Sequence, residues 1–188
     1  MTEEWPVGLR GLTESVVTTP EPDGGWAVAA LGLRPGDPVT ARTWGRTRTR
    51  RNFERAGRGV VQFTRDPVAF VEAALAVKTL DQPALDDVDA RVEVAVERAA
   101  AGQDGGTEWV DWRLQPASVS VRSEAVPTIE RGLNAVVEAT VAASRLDVPG
   151  YDEATLRDRL ARHRAIVDRC GSPRDQVAMA RLDELIGD

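Results

Sequence analysis

The sequence predicts an α+β fold, mainly β, in which a β-barrel of about 125 residues precedes a small helical bundle. In the first half of the 188-residue chain, Gly- and Pro-rich turns separate short apolar runs, as in strands joined by hairpins. Residues 88–97 and 109–114 alternate apolar and polar side chains, which favours half-buried strands. From residue 133 onward, apolar residues recur at helical spacing. We therefore expect a barrel domain over residues 1–125 and a helical subdomain over residues 126–188.

The barrel strands are delimited by turn and cap residues. Turn-rich stretches at residues 20–25 and 34–38 separate the first three strands. Residues 49–57 have the pattern of a short helix, with Thr49 as its N-cap and Gly57 just past its end. The predicted strands cover residues 11–18, 26–33, 39–44, 59–64, 88–97, 109–114 and 118–122.

Further helices are predicted where cap residues precede amphipathic patterns. Asp66 is a suitable N-cap, followed by Pro67 at the first helical position. The sequence Ser172-Pro173-Arg174-Asp175 opens the last helix in the same way. Apolar residues also keep helical spacing over residues 133–141 and within residues 151–169. The last three helices are expected to form the C-terminal bundle.

The chain offers few residues for catalysis or metal binding. Cys170 is the only cysteine and His163 the only histidine, so an intramolecular disulfide is impossible and a metal site is not expected. We expect Cys170 to be buried at a helix end and His163 to lie on a helix surface. The sequence shows no catalytic acid–base set and no glycine-rich nucleotide fingerprint, so no residue is predicted to be catalytic. Without a membrane-spanning run or signal-peptide pattern, a cytoplasmic protein is expected, with no membrane partner.

The basic residues are concentrated in one short segment of an acidic chain. The net charge is −6, and the chain contains 23 arginines but only one lysine, Lys78. Residues 42–65, here called the basic segment, carry eight arginines against one acid, Glu54, which leaves −13 for the rest of the chain. A localised basic segment of this kind favours a localised anionic ligand.

The first part of the basic segment has the composition of a phosphate-binding site. Threonine hydroxyls donate single hydrogen bonds, and guanidinium groups donate paired ones to phosphate oxygens. The backbone N–H groups at the start of the predicted helix add donors and a partial positive charge. Gly45 would let the backbone approach an anion closely. The alternative interpretation is that these arginines form the solvated surface of a short exposed helix.

Several stretches resemble an archaeal family of FMN-binding split-barrel proteins, formerly catalogued as a domain of unknown function, in the flavin reductase-like superfamily. The resemblance covers LTESVVTT, WAVAALGL, ARTWGRTRTRRNFERAGRGVVQFTRDPVAFVEAAL and IERGLNAVVEATVAASRL. In the superfamily, a strand is followed by Thr-x-x-Asn on a short helix and then by a valine-rich strand. Here Thr49-Arg50-Arg51-Asn52 and residues 59–63 stand in those places. The resemblance implies an FMN-binding split β-barrel followed by the C-terminal helices.

The resemblance also implies a homodimer with FMN at or near the subunit interface. The backbone of Ala30, Leu31 and Gly32 would lie along the isoalloxazine ring, and Trp44 flanks the expected pocket. Relatives often have an asparagine before this strand and a proline within it, where this chain has Ala27 and Ala30. Carried over by position, the phosphate ligands would come from Arg42, Thr43, Arg46, Thr47, Arg48, Thr49 and Asn52.

A bound flavin would itself carry the chemistry, because it accepts and donates hydride and electrons. The leading hypothesis is a flavoprotein oxidoreductase or flavin reductase with a reduced nicotinamide or a deazaflavin as donor. One alternative is a flavin carrier or storage protein with the same site and no turnover. A less favoured alternative is nucleic-acid binding by the basic segment, although phosphate-backbone binding normally uses a broader basic face.

Overall fold

The computed structural model describes residues 4–126 and 128–187. Within these residues the chain forms seven strands and five helices. The strands are β1 (Thr13–Pro20), β2 (Trp26–Arg34), β3 (Val39–Trp44), β4 (Arg58–Phe63), β5 (Lys78–Leu80), β6 (Ala90–Asp104) and β7 (Thr107–Val121). The helices are α1 (Arg48–Ala56), α2 (Pro67–Leu75), α3 (Arg131–Ala143), α4 (Glu153–Cys170) and α5 (Pro173–Ile186).

The strands form one antiparallel sheet that closes on itself. The strand order is β1-β4-β6-β7-β3-β2-β5, and β1 also pairs with β2 from Thr13↔Leu33 to Pro20↔Trp26. This second pairing closes a six-stranded barrel and leaves β5 as an extra strand beside the start of β2. The predicted barrel followed by C-terminal helices is confirmed, and the architecture is that of a split barrel.

The barrel core is built from the residues that alternate inward along the long strands. Val92, Val94 and Val96 of β6 are buried, as the alternation predicts. Phe53 of α1 joins the same cluster, and its ring lies 5.4 Å from that of Trp112 in an edge-to-face arrangement. The short helix α1 is therefore anchored to the barrel interior and is more than a surface helix.

The hairpin of β6 and β7 is longer than predicted. The strands predicted at residues 109–114 and 118–122 form one continuous strand, and the turn contains only Gly105 and Gly106, both with positive φ. Pro116 interrupts the apolar alternation, which led to the prediction of two strands. It pairs with Val94 next to a register shift, a position at which a strand tolerates proline.

The helices α2 to α5 pack around a second core. The chain folds into two compact units: the described residues up to Thr64 with Lys78–Glu124, and Arg65–Val77 with the chain from Ala125 onward. The second unit thus includes α2, which lies outside the predicted range 126–188. The division into domains of residues 1–125 and 126–188 stays a prediction. Asp66 caps α2 as predicted, and the Ser172–Asp175 capping box opens α5. Among the described residues, no helix is long and apolar enough to span a membrane.

The single cysteine and histidine differ from expectation. Cys170 is exposed, because it ends α4 on the side away from the core, so the prediction that it is buried is wrong. The imidazole of His163 is half-buried, and its Nδ1 has no hydrogen-bond partner in the described part of the chain. Burial lowers the pKa of His163, which favours the neutral imidazole.

Candidate functional site

The start of α1 lies directly after β3 and a tight turn. Gly45 takes φ +65, a left-handed conformation that suits glycine, and the chain then enters the helix. Thr47 is the N-cap, and its Oγ1 accepts a hydrogen bond from the backbone N–H of Arg50 at 3.2 Å. The prediction that Thr49 caps the helix is wrong. Thr47 and Thr49 present the same cap signal in the sequence, and the helix begins two residues earlier than predicted.

The first turn of α1 leaves several hydrogen-bond donors available. Within the described residues, the backbone N–H groups of Arg48 and Thr49 have no acceptor, as expected for the first helical positions. The hydroxyl of the buried Thr49 also has no partner among those residues. Arg46 and Thr47 are exposed beside them. Helix-start N–H groups next to an arginine form an anion-binding arrangement.

Two other predicted site residues face the barrel rather than the helix start. Thr43 is 5% exposed, and its Oγ1 accepts a hydrogen bond from Nε1 of Trp112 at 2.9 Å. The buried Asn52 donates through Nδ2 to Oγ1 of Thr19 and to Oε1 of Glu21, both at 3.0 Å. Thr43 and Asn52 therefore position β3 and α1 by contacts within the protein.

Arg42 is paired within the sheet. Its Nε and Nη2 donate to the two carboxylate oxygens of Asp111 at 2.7 and 2.8 Å, since β3 and β7 place these residues opposite each other. The guanidinium also stacks on Trp109, 3.8 Å from the ring centroid, and lies 5.4 Å from that of Trp44. Trp44 is 44% exposed, so one side of this stack is open to solvent.

Arg48 links α1 to two neighbouring segments. It donates to Glu21 at 3.2 Å and, from Nη2, to Oγ1 of Thr79 in β5 at 2.7 Å. These contacts hold the start of α1 close to the beginning of β2, because β5 pairs with Trp26–Val28. Strand β5 was not predicted, because it has only three residues and no alternation that could reveal it.

An unpaired strand edge lies beside this helix start. On the side away from β1, strand β2 pairs with β5 only up to Val28 and with β3 only from Leu33. On that side no described strand pairs with the backbone between them, residues 29–32, here called the open edge of β2, whereas β1 pairs with these residues on the other side. It contains Ala30 and Gly32, which are half-buried, and Leu31, whose side chain lies in the barrel core. Antiparallel strands direct alternate backbone groups to either side, so the open edge offers N–H and C=O groups to a ligand.

The ion pair behind Trp44 predicts a pH-dependent stability. The hydrogen bonds from Arg42 hold the pKa of Asp111 below its usual value despite partial burial. A depressed folded-state pKa stabilises the protein above the unfolded pKa, and this contribution is lost as the pH falls through the folded value. We expect Asp111→Asn to lower the free energy of unfolding at pH 7 by about 1.5 kcal/mol, as for one charged hydrogen bond.

Urea unfolding from pH 7 down to pH 3 checks this expectation. The difference between wild type and Asp111→Asn should begin to shrink below about pH 4, the ordinary aspartate pKa that applies to the unfolded chain, and should shrink further as the pH falls toward the lower pKa of the folded Asp111 carboxylate. Glu108→Gln is the matched control, because Glu108 pairs with Arg50 but its side chain is 61% exposed. Its effect should be close to zero at every pH. A difference for Asp111→Asn that is independent of pH would contradict the assignment.

Together these features define a class of protein: a split barrel in which a basic helix start adjoins an open strand edge. The chain belongs to the DUF447 family. The model of the N-terminal domain of this protein family of unknown function matches residues 13–123, and a second DUF447 model matches residues 130–184. No curated protein matches the chain.

One solved structure shares the fold over nearly the whole chain, and two others are similar to part of it. An FMN-bound DUF447 protein from Methanosarcina mazei is 20% identical, with a TM-score of 0.77 over 94% of this chain and 96% of that one. The flavin reductase of styrene monooxygenase from Pseudomonas putida is 14% identical, with a TM-score of 0.45 over 62% of this chain and 93% of its own. Flavoredoxin from Methanosarcina acetivorans is 9% identical, with a TM-score of 0.44 over 66% and 78%.

Proposed function

We propose that this chain binds FMN, with the phosphate at the start of α1 and the ring along the open edge of β2. The observation that carries the proposal is that two elements in contact, α1 and β2, each leave backbone groups without a partner in the described chain: the N–H groups of Arg48 and Thr49, and the side of residues 29–32 that faces away from β1. One suits an anion, and the other suits a planar group with both donors and acceptors. The FMN-bound M. mazei protein of the same family supports this choice of ligand.

The residues present fit FMN in distinct roles. The phosphate would be held by the side chains of Arg46, Thr47 and Thr49 and by the backbone N–H groups of Arg48 and Thr49, which have no acceptor in the described chain. Arg42 and Asn52 are already bonded within the protein and would position these groups. When bound, the flavin supplies hydride and electron transfer. The chain's own residues bind it and orient it.

An oxidoreductase or flavin reductase activity is the finer part of the proposal. The donor would be a reduced nicotinamide or a deazaflavin, and a flavin carrier without turnover is the alternative. Steady-state oxidation of NADH, NADPH and a reduced deazaflavin separates the two. Nucleic-acid binding is less favoured, because Arg42, Arg48 and Arg50 pair with carboxylates and so present less charge to a partner.

The first test compares FMN with riboflavin, which lacks the phosphate. We expect the purified protein to be yellow, or to become so with FMN, and to bind riboflavin about 100-fold more weakly. That factor corresponds to one or two hydrogen bonds to a charged group at about 1.5–3 kcal/mol each. Quenching of flavin fluorescence measures both affinities. Equal affinity for the two flavins would remove the phosphate from the site.

A homodimer is the second part of the proposal, motivated by the family resemblance. We expect light scattering to give a mass near twice the 20.4 kDa of the chain, in the presence of FMN. A monomer that retains full affinity for FMN would contradict a site at the subunit interface.

A further inference from the structure

A pocket of about 300 Å³ lies on the flank of α1, here called the flank pocket. It is lined by Glu21, Pro22, Arg48, Arg51, Asn52 and Arg55. This volume is at the lower end of the range of small-molecule sites. Of these residues, only Arg48 and Asn52 were predicted from the sequence to contact a ligand.

The flank pocket carries more positive charge than its own residues neutralise. Glu21 is its one carboxylate, and it is held by Arg48 and by the amide of Asn52. Arg51 donates to the backbone carbonyl of Arg46 at 2.8 Å, and Arg55 donates to the carbonyl of Pro20. In the described chain neither Arg51 nor Arg55 has a carboxylate partner. Two guanidinium charges therefore face the pocket without a counter-charge.

The flank pocket extends well beyond the helix start. Arg55 follows Arg48 by seven residues, which is about 10 Å along the axis of an α-helix. The free N–H groups of Arg48 and Thr49 point along that axis toward the turn at Gly45, whereas the pocket lies beside the axis. A phosphate bound on the N–H groups and a group bound in the flank pocket would thus contact different atoms, with Arg48 bordering both places and Arg51 linked to the carbonyl of Arg46.

We infer that the flank pocket binds the phosphate group of a second ligand, a phosphorylated small molecule other than FMN. Two guanidinium groups match the charge of a phosphate dianion, and each donates paired hydrogen bonds to its oxygens. The remaining volume accommodates the small organic part of the ligand. Asn52 holds Glu21 and also accepts a hydrogen bond from Arg55, so it positions the pocket wall.

Titration calorimetry at 0.15 M salt tests the inference with ribose 5-phosphate as the probe and ribose as its uncharged counterpart. We expect ribose 5-phosphate, and not ribose, to bind the FMN-saturated protein. Arg51→Gln and Arg55→Gln keep long polar side chains but remove the charge, and each should weaken the probe tenfold or more. Arg50→Gln is the matched control, because Arg50 pairs with Glu54 and Glu108 away from the pocket. It should leave the affinity for the probe unchanged.

Three results would overturn the inference: no binding of the probe, displacement of FMN by the probe, or equal weakening by Arg50→Gln. FMN affinity, measured separately by fluorescence, should change less than threefold in Arg51→Gln and Arg55→Gln. The flavin-free protein gives an independent reading. If the flavin-free protein binds ribose 5-phosphate through Arg51 and Arg55 but does not bind FMN, phosphate binding in the flank pocket is supported and the proposed FMN binding is contradicted.

Discussion

Replacing Phe53 with alanine is expected to lower the free energy of unfolding by about 3–5 kcal/mol, the range for truncating a buried phenylalanine. Phe53 is 2% exposed, and it is the residue through which α1 enters the barrel core beside Trp112. Its ring also lies against Gly59 of β4, where an added Cβ would come within 3.1 Å of it. Alanine would therefore leave a cavity that the surrounding strands cannot fill.

Urea unfolding followed by circular dichroism measures this loss, with Phe63→Ala as the matched control. Phe63 is only partly buried, and its edge-to-face partner Trp5 lies 6.3 Å away. The same truncation should therefore cost clearly less there. If Phe53→Ala lowers the free energy of unfolding no more than Phe63→Ala does, α1 is not anchored through Phe53. The start of α1 would then not be held rigidly by the barrel core.

The parts of the fold that the sequence predicted are those determined by local patterns. The alternation of Val92, Val94 and Val96 reports one buried face, because successive side chains of a strand point to opposite sides. The caps at Asp66 and Ser172 depend on bonds within three residues. Such signals are complete within a short stretch of chain, so they can be recognised without knowledge of the tertiary structure.

The parts that could not be predicted depend on strand pairing. In β3 the apolar Val39 and Ala41 alternate with polar residues, but the pattern is broken by the polar Thr43 and the apolar, exposed Trp44, so residue type does not reveal that Thr43 faces the core. The partner of Arg42 is Asp111, which lies 69 residues away in sequence, and only the β3–β7 register brings them together. Which arginines of the basic segment are paired is therefore a property of the fold.

The open edge of β2 is a consequence of pairing in the same way. Its backbone belongs to the apolar run WAVAALGL, which predicts a strand but says nothing of where its neighbours end. The edge exists because β3 departs from β2 after two residue pairs and β5 is only three residues long. The resemblance to the family placed the ring along residues 30–32, and the geometry supplies a physical reason for that expectation.

Arg46→Ala is expected to weaken FMN by about tenfold or more while leaving riboflavin unchanged. The expected loss follows from removing one hydrogen bond between charged groups, about 1.5–3 kcal/mol. Arg46 is the suitable residue because it is exposed next to the helix cap and has no side-chain partner in the described chain. Fluorescence quenching measures the affinities of wild type and variant for both FMN and riboflavin. A loss of riboflavin affinity in the variant would indicate general damage to the site.

Arg50→Ala is the control that separates a discrete phosphate site from diffuse charge. It removes one positive charge from the same helix turn, but its guanidinium already bonds to Glu54, Glu108 and the carbonyl of Gly45. Arg50 is a stricter control than Arg55, because it lies in the first turn of α1 and so closer to the proposed phosphate site. If FMN binds at a discrete site, Arg50→Ala should change its affinity by less than about threefold at 0.15 M salt, where exposed charges are screened beyond roughly 8 Å. If both variants weaken FMN equally, binding follows the net charge of the basic segment, and the helix start is not the phosphate site.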